Sequence, residues 1–216
     1  ATLTSSGSPV ASKTISFQLG NTSVGNATTN ANGVATLSSV SLTGVNAGTS
    51  TGAVKATFAG DANYEANFGT RSHDVNRAPT SLTVAGPGGS TVYRTSVTFT
   101  ASISATTGDL NGTGSVSFSD GTTPIAGCQN VALVDGTARP ATATCVTADL
   151  TGGTHTIRAS YSGNPNFESS SNTTGQTVER APTTVTVGGG GSTTYGDTTT
   201  FTATIDSTAG SLTGTV

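Results

Sequence analysis

Apolar residues in this chain keep the beat of a strand. Val97, Phe99, Ala101 and Ile103 alternate with Thr98, Thr100 and Ser102. The same alternation runs through Ile15, Phe17 and Leu19; Val54, Ala56 and Phe58; Val116 and Phe118; Ile157, Ala159 and Tyr161; and Phe201, Ala203 and Ile205. Period two with one polar face belongs to an antiparallel sheet packed on one side and wetted on the other. Pairs such as "NG", "DG", "GD" and "GN" punctuate these runs, which is the pattern of short strands in a β-sandwich. No stretch combines a cap, about eleven amphipathic residues and freedom from Gly, so no helix is expected. The expected fold class is all-β, built from antiparallel β-sandwiches.

A second pattern divides the chain. "FAGDANYEANFG" (58–69) returns as "YSGNPNFESSSN" (161–172), with Gly60 matching Gly163 and Tyr64 matching Phe167. "AVKATFAG" (53–60) aligns with "TIRASYSG" (156–163), and "VNRAPTSLTV" (75–84) with "VERAPTTVTV" (178–187). A third copy opens when "TVYRTSVTFTASI" (91–103) returns as "TTYGDTTTFTATI" (193–205). A period of about 100 residues is a string of similar domains, too long for one unit of a solenoid. The expected organisation is a repeat lacking its first strand at 1–76, a complete repeat at 77–180 and the opening strands of a third at 181–216.

These residues resemble the bacterial immunoglobulin-like repeat domains, tandem modules of large cell-surface and secreted proteins. The resemblance rests on "GSVSFSDGTTPIAG" (114–127), "LTGGTHTIRASYSGNPNFESS" (150–170), "GSPVASKTISFQLG" (7–20), "TTNANGVATLS" (28–38) and "VKATFAGDANYEA" (54–66). It covers essentially the whole chain. It implies tandem sandwiches in an extended rod and an extracellular, cell-surface or secreted home. It further implies a structural role in a bacterial surface stalk or fibre, of the adhesin type. The expected partners are neighbouring repeats of the same or an identical chain, and then a host, cell-surface or glycan ligand. The first repeat has the "PVASKTISF" style and the second the "SFSDGTTPIAGC" style, so the two are expected to belong to different subgroups.

The repeated phrase has a physical reading of its own. An inward aromatic, Phe58 or Tyr161, ends a strand. Gly60 and Gly163 permit a sharp turn at positive φ. Asp61 and Asn164 bond the following backbone as an Asx-turn. Tyr64 and Phe167 fold back as plugs on the end of the core. The competing reading is a calcium site using Asp61 and Asn63. Calcium takes six or more oxygens, several of them carboxylate, and the second copy offers Asn164 with Glu168 alone nearby. No metal or cofactor is expected.

Composition narrows the function. A formal net charge of −3 gives no electrostatic footprint for nucleic acid or an anionic membrane. No apolar run approaches the length of a membrane-spanning helix. Residues 1–20 lack the charged and apolar regions of a signal peptide. Only His73 and His155 occur, and neither H-E-x-x-H, G-x-S-x-G, G-x-G-x-x-G nor a P-loop is present. The acids stand singly, with Asp120 in "SDG" and Asp135 in "VDG" read as turn residues. His155, in "GGTHTI", reads as a solvated residue at a strand start. No catalytic residue is expected, since an active site needs convergent titratable groups. Lys13 and Lys55 are the only lysines, so a Lys–Asn crosslink is no general device here. Sequons stand at Asn21, Asn26, Asn111 and Asn172, in a chain whose Ser, Thr and Asn content makes chance sequons frequent.

Two cysteines, Cys128 and Cys145, have no zinc spacing. A hairpin turning at Gly136-Thr137 sets Asp135 opposite Ala138 and Cys128 opposite Cys145. A turn at Asp135-Gly136 sets Cys128 opposite Ala143 instead. The first register is favoured because it uses both thiols in a disulfide, with Pro140 at an edge or a bulge. Two buried thiols are the alternative. A structural disulfide implies an oxidising, extracytoplasmic compartment.

The joins and the ends carry the last expectations. Pro79 and Pro182 fix the linkers "NRAPT" and "ERAPT", and Ala78 and Ala181 before them are pushed extended. "GPGGS" (86–90) and "GGGGS" (188–192) read as loops between early strands. Ala1-Thr2-Leu3 matches Ala101-Ser102-Ile103 and Ala203-Thr204-Ile205. A segment cut from a longer chain is the favoured reading. The alternative is a fibre subunit whose tail completes the next subunit by strand donation. Against it, 203–216 and 1–14 duplicate one part of the repeat, so a simple exchange puts two segments in one slot. An adhesive module binding through loops is a further alternative.

Overall fold

The structure is a computed structural model that describes residues 1–110, 113–134 and 140–210, without the side chains of 49–52. The Asp135–Ala138 turn and the Asn111 sequon lie outside the described residues. None of the described residues is helical. Contacts divide the chain into two units, Ala1–Arg77 and Ala78–Val216.

The first unit begins with Ala1–Leu3 lying beside Val34 and Ala35. The Leu3 N–H donates to the Gly33 carbonyl at 2.8 Å and the Ala35 N–H to the Ala1 carbonyl at 2.9 Å. A small ribbon follows, β1 (Thr4–Ser5) with β2 (Ser8–Pro9). The main sheet holds β3 (Thr14–Leu19), β4 (Thr22–Thr28), β5 (Gly48–Phe58) and β6 (Asn67–Val75). Its order is β4-β3-β5-β6, antiparallel throughout. The period-two pattern does what it should in β3, where Ile15, Phe17 and Leu19 are buried. The core here is small: Ile15, Phe17, Ala35 and Phe58, with Leu3, Leu37, Ala56 and Tyr64 packed against it.

The second unit contains a full sandwich. Its strands are β7 (Thr80–Ala85), β8 (Ser90–Val92), β9 (Val97–Ala105), β10 (Ser115–Asp120), β11 (Thr123–Pro124), β12 (Val131–Ala132), β13 (Ala141–Thr147), β14 (Gly153–Tyr161) and β15 (Ser170–Glu179). One sheet has the order β13-β9-β7, the other β11-β10-β14-β15-β8 with β12 also on the edge of β10. Phe99, Ala101 and Ile103 of the first sheet pack with Val116, Phe118, Ile157, Ala159 and Tyr161 of the second in one buried cluster. One pairing departs from the antiparallel expectation: β8 runs parallel to β15, with Thr91 opposite Val178. The stretch 86–89 carries the chain from β7 in one sheet to β8 at the edge of the other, so β8 arrives in the direction β7 had.

One expectation needs correcting. The disulfide Cys128–Cys145 is present, with Cα atoms 5.3 Å apart, but it is no cross-strand pair of a hairpin. Val134 bridges Thr142, a register that neither proposed turn produces. Cys145 lies in β13 opposite Phe99 of β9. Cys128 lies beside β10, where its carbonyl accepts from the Phe118 N–H at 2.9 Å. The bond therefore ties the two sheets across the core. Pro140 directly precedes β13, an edge strand.

Beyond Glu179 the described chain forms an antiparallel hairpin, β16 (Thr183–Gly188) with β17 (Thr202–Ser207). Phe201, Ala203 and Ile205 keep the alternation but are not buried; Phe201 is 69% exposed. A strand's apolar face needs a second layer to bury it, and no second sheet covers this hairpin among the described residues.

Candidate functional site

The loop phrase is where both copies concentrate their hydrogen bonds. In the first unit β5 ends at buried Phe58. Gly60 turns at φ +83°, and a Cβ there would sit 2.8 Å from the Ala66 nitrogen. Asp61 Oδ1 accepts from the Asn63 and Tyr64 N–H groups at 2.8 and 3.0 Å. The Asp61 N–H donates to the Tyr64 carbonyl at 2.8 Å. Its other oxygen, Oδ2, accepts from Lys13 Nζ at 2.6 Å. Lys13 Nζ also stands 5.1 Å from the centre of the Tyr64 ring. The Lys13 hydrogen bond, with help from the Asn63 and Tyr64 amides, holds the Asp61 carboxyl below the usual aspartate value. The carboxylate is thus engaged by its own turn and one lysine.

The second copy repeats this geometry. Gly163 turns at φ +71°. Asn164 Oδ1 accepts from the Asn166 and Phe167 N–H groups at 2.8 and 2.9 Å. Asn164 Nδ2 donates to Thr113 Oγ1, and the Tyr161 hydroxyl donates to the Thr113 carbonyl at 3.1 Å. Burial raises the Tyr161 phenol above its ordinary value, so it stays a neutral donor. Phe167 is buried in the sandwich core, whereas Tyr64 is only half-buried.

The loop also grips the linker, which sequence reasoning did not foresee. The Ala78 N–H donates to the Asn166 carbonyl at 2.8 Å, and the Glu168 N–H donates to the Ala78 carbonyl at 3.0 Å. Ala78 and Phe167 form a parallel bridge. Two residues on, Thr80 Oγ1 donates to the Glu168 carbonyl at 3.0 Å. Pro79 is exposed and its carbonyl accepts from the Thr106 N–H; the Pro182 carbonyl accepts from Ser207 Oγ at 3.2 Å. The extended pre-proline alanine was legible, but its two partners lie almost ninety residues away in sequence and reach it only through the fold.

His155 departs from its expected role. It is no solvated edge residue: its side chain is 8% exposed. Nδ1 lies 2.6 Å from Asp120 Oδ2 and Nε2 lies 2.7 Å from the Thr151 carbonyl. The pairing of β10 with β14 sets Asp120 opposite Ile157 and so beside His155. A carbonyl only accepts, and so does an ionised carboxylate, so the pair of contacts suits an imidazolium that donates twice. Burial pushes the imidazole pKa down most, but the Asp120 hydrogen bond, the Thr151 carbonyl and the Asp120 charge together carry it above the ordinary value. One imidazole and one carboxylate form a structural pair here. Among the described residues no three His, Cys, Asp or Glu side chains gather.

Residues 82–179 match the family model of the bacterial Ig-like domain, group 3. Among solved structures, the fibronectin(III)-like modules of Clostridium thermocellum CbhA are similar at 15% identity, over 82% of this chain and 83% of that one, with a TM-score of 0.38. No curated protein matches the chain.

Proposed function

We propose, for a chain whose residues 82–179 match the bacterial Ig-like domain of group 3, a mechanical role as a non-enzymatic spacer in an extracellular bacterial surface or secreted protein. The observation that carries the reading is the short join. β6 ends at Val75 and Ala78 is already bonded into the next domain, so only Asn76 and Arg77 lie between. A two-residue link leaves little conformational freedom, whereas a Gly/Ser tether behaves as a coil. The disulfide fits an oxidising compartment. The first phrase spends its polar groups on its own turn and Lys13, the second on its own turn and the join, and neither offers a convergent titratable set for chemistry.

The test is the dimension of the chain in solution. Small-angle scattering of the chain is compared with a variant carrying a Gly-Ser insertion of about eight residues between Asn76 and Arg77. Such an insertion adds a flexible segment of about 15 Å root-mean-square length. A stiff join predicts a single well-defined profile for the parent and a broadened distribution for the variant. Equal breadth for the two removes the spacer reading.

A further inference from the structure

In the second unit's sandwich the opening segment, 78–93, and the closing segment, 166–179, run side by side in one direction. Ala78 is held between Asn166 and Glu168. Thr80 Oγ1 donates to Ser170 Oγ at 2.7 Å, and Asn172 Nδ2 donates to the Leu82 carbonyl at 3.0 Å. Both pairs are 90 residues apart in sequence, so the ties advance in step along β7 and β15. They continue past the crossover at 86–89. Gln176, 3% exposed, donates through Nε2 to the Gly89 carbonyl at 3.4 Å and to Thr91 Oγ1 at 3.2 Å. Ser90, Thr91 and Val92 then pair in parallel with Thr177, Val178 and Glu179. The Tyr93 N–H donates to the Glu179 carbonyl at 2.8 Å, and Ser90 Oγ donates to Glu179 Oε1.

Direction decides how these ties respond to tension. Parallel neighbours are joined by a crossover, so their outer ends lie at opposite ends of the pair. The chain enters at Arg77, where β15 begins, and leaves at Arg180, where β8 stops. Pulling Arg77 and Arg180 apart drives 78–93 one way and 166–179 the other, along their own lengths. Every tie is then strained together, whereas a hairpin pulled at its open end gives way one tie at a time. Strands β9 to β14 lie between the two segments in sequence and are not stretched until the segments part. The Cys128–Cys145 bond lies in that interior as well.

We propose that 78–93 and 166–179 form a shear clamp that sets how long the second unit's sandwich holds under tension. The clamp deepens the spacer reading and rests on it for the direction of pull. The two are separable: scattering reports on the join at Asn76 and Arg77, whereas the clamp lies wholly within the second unit.

Single chains held by their two ends at constant force test it, since forced unfolding reads the unfolding rate. Reduction marks the right event: opening Cys128–Cys145 frees the 17-residue span between them and lengthens that step by about 60 Å. The lifetime before the step is expected to stay the same on reduction. Gln176→Ala removes the ties to Gly89 and Thr91 and should shorten the lifetime about five-fold, as the loss of one hydrogen bond does. Thr91→Pro should shorten it about thirty-fold, the loss of two. It removes the hydroxyl that Gln176 holds and a ladder N–H, because the Tyr93 N–H faces Glu179 and groups two apart on a strand share a side. Should Thr91→Pro fail to fold by circular dichroism, Gln176→Ala decides alone. Ile103→Val, buried in β9, is the control: it should lower the urea midpoint and leave the lifetime as it is. A lifetime unmoved by Gln176→Ala, or shortened as much by reduction or by Ile103→Val, overturns the proposal, because tension is then resisted elsewhere in the sandwich.

Discussion

Breaking the Cys128–Cys145 bond destabilises the second unit and leaves the first unmoved. The two cysteines are 17 residues apart, and closing a loop of that length in the unfolded chain corresponds to about 3 kcal/mol on the chain-entropy model. Both sulfurs are in the core, with Cys128 2% and Cys145 1% exposed. Reduced thiols fill the same volume as small apolar groups, so reduction removes the cross-link without opening a cavity. For a domain of about 100 residues each kcal/mol moves the midpoint by about 4–8 °C, so the expected fall is about 15 °C. The assay is thermal unfolding followed by circular dichroism, with reductant carried through one unfolding cycle to reach the buried sulfurs. The first unit has no cysteine, so its transition is the internal control. A fall of less than about 4 °C, or an equal shift of both transitions, would refute the reasoning, because the bond would then not constrain the unfolded second unit.

Two further outcomes follow from the site. Gly163→Ala forces an L side chain to φ +71° with its Cβ 2.9 Å from the Phe167 carbonyl oxygen, and should cost about 1–3 kcal/mol in urea unfolding; a neutral result would mean that the turn relaxes freely. The second unit should also lose stability as pH rises. His155 has a folded pKa above its unfolded value, so its contribution is complete below about pH 6.5 and disappears as pH climbs through the folded value. Urea midpoints across that window should fall for the parent and flatten for His155→Gln, and parallel curves would remove His155 as the cause.

Strand positions were legible because a period of two leaves a side chain only two places to go. Ile15, Phe17, Phe99, Ile103, Phe118 and Ile157 are buried where alternation put them. Alternation says nothing about whether a covering layer exists, and Phe201 and Ile205 keep the alternation without burial. The cysteine pairing was legible from two facts, a count of two and the absence of a zinc spacing, whereas its geometry was not. A hairpin pair and a cross-core pair share one spacing, and the Val134–Thr142 bridge that separates them has no local signature. His155 failed for a related reason. Its neighbours in sequence are small and polar, and the carboxylate that defines it stands 35 residues away across the β10–β14 pairing.

The recurrence of the phrase has a physical logic that neither copy reveals alone. Its glycine and Asx residue form a turn, and any short polar loop does as much. What the second copy adds is a carbonyl at Asn166 and an N–H at Glu168 placed to receive one extended residue, Ala78. An alanine before a proline supplies that residue: it is held extended by the ring that follows, and its methyl needs little room. The turn is thus a socket and Arg-Ala-Pro its plug, and each needs the other to satisfy buried-edge backbone groups. Socket and plug lie at opposite ends of a repeat in sequence, so the contact closes the second unit on itself.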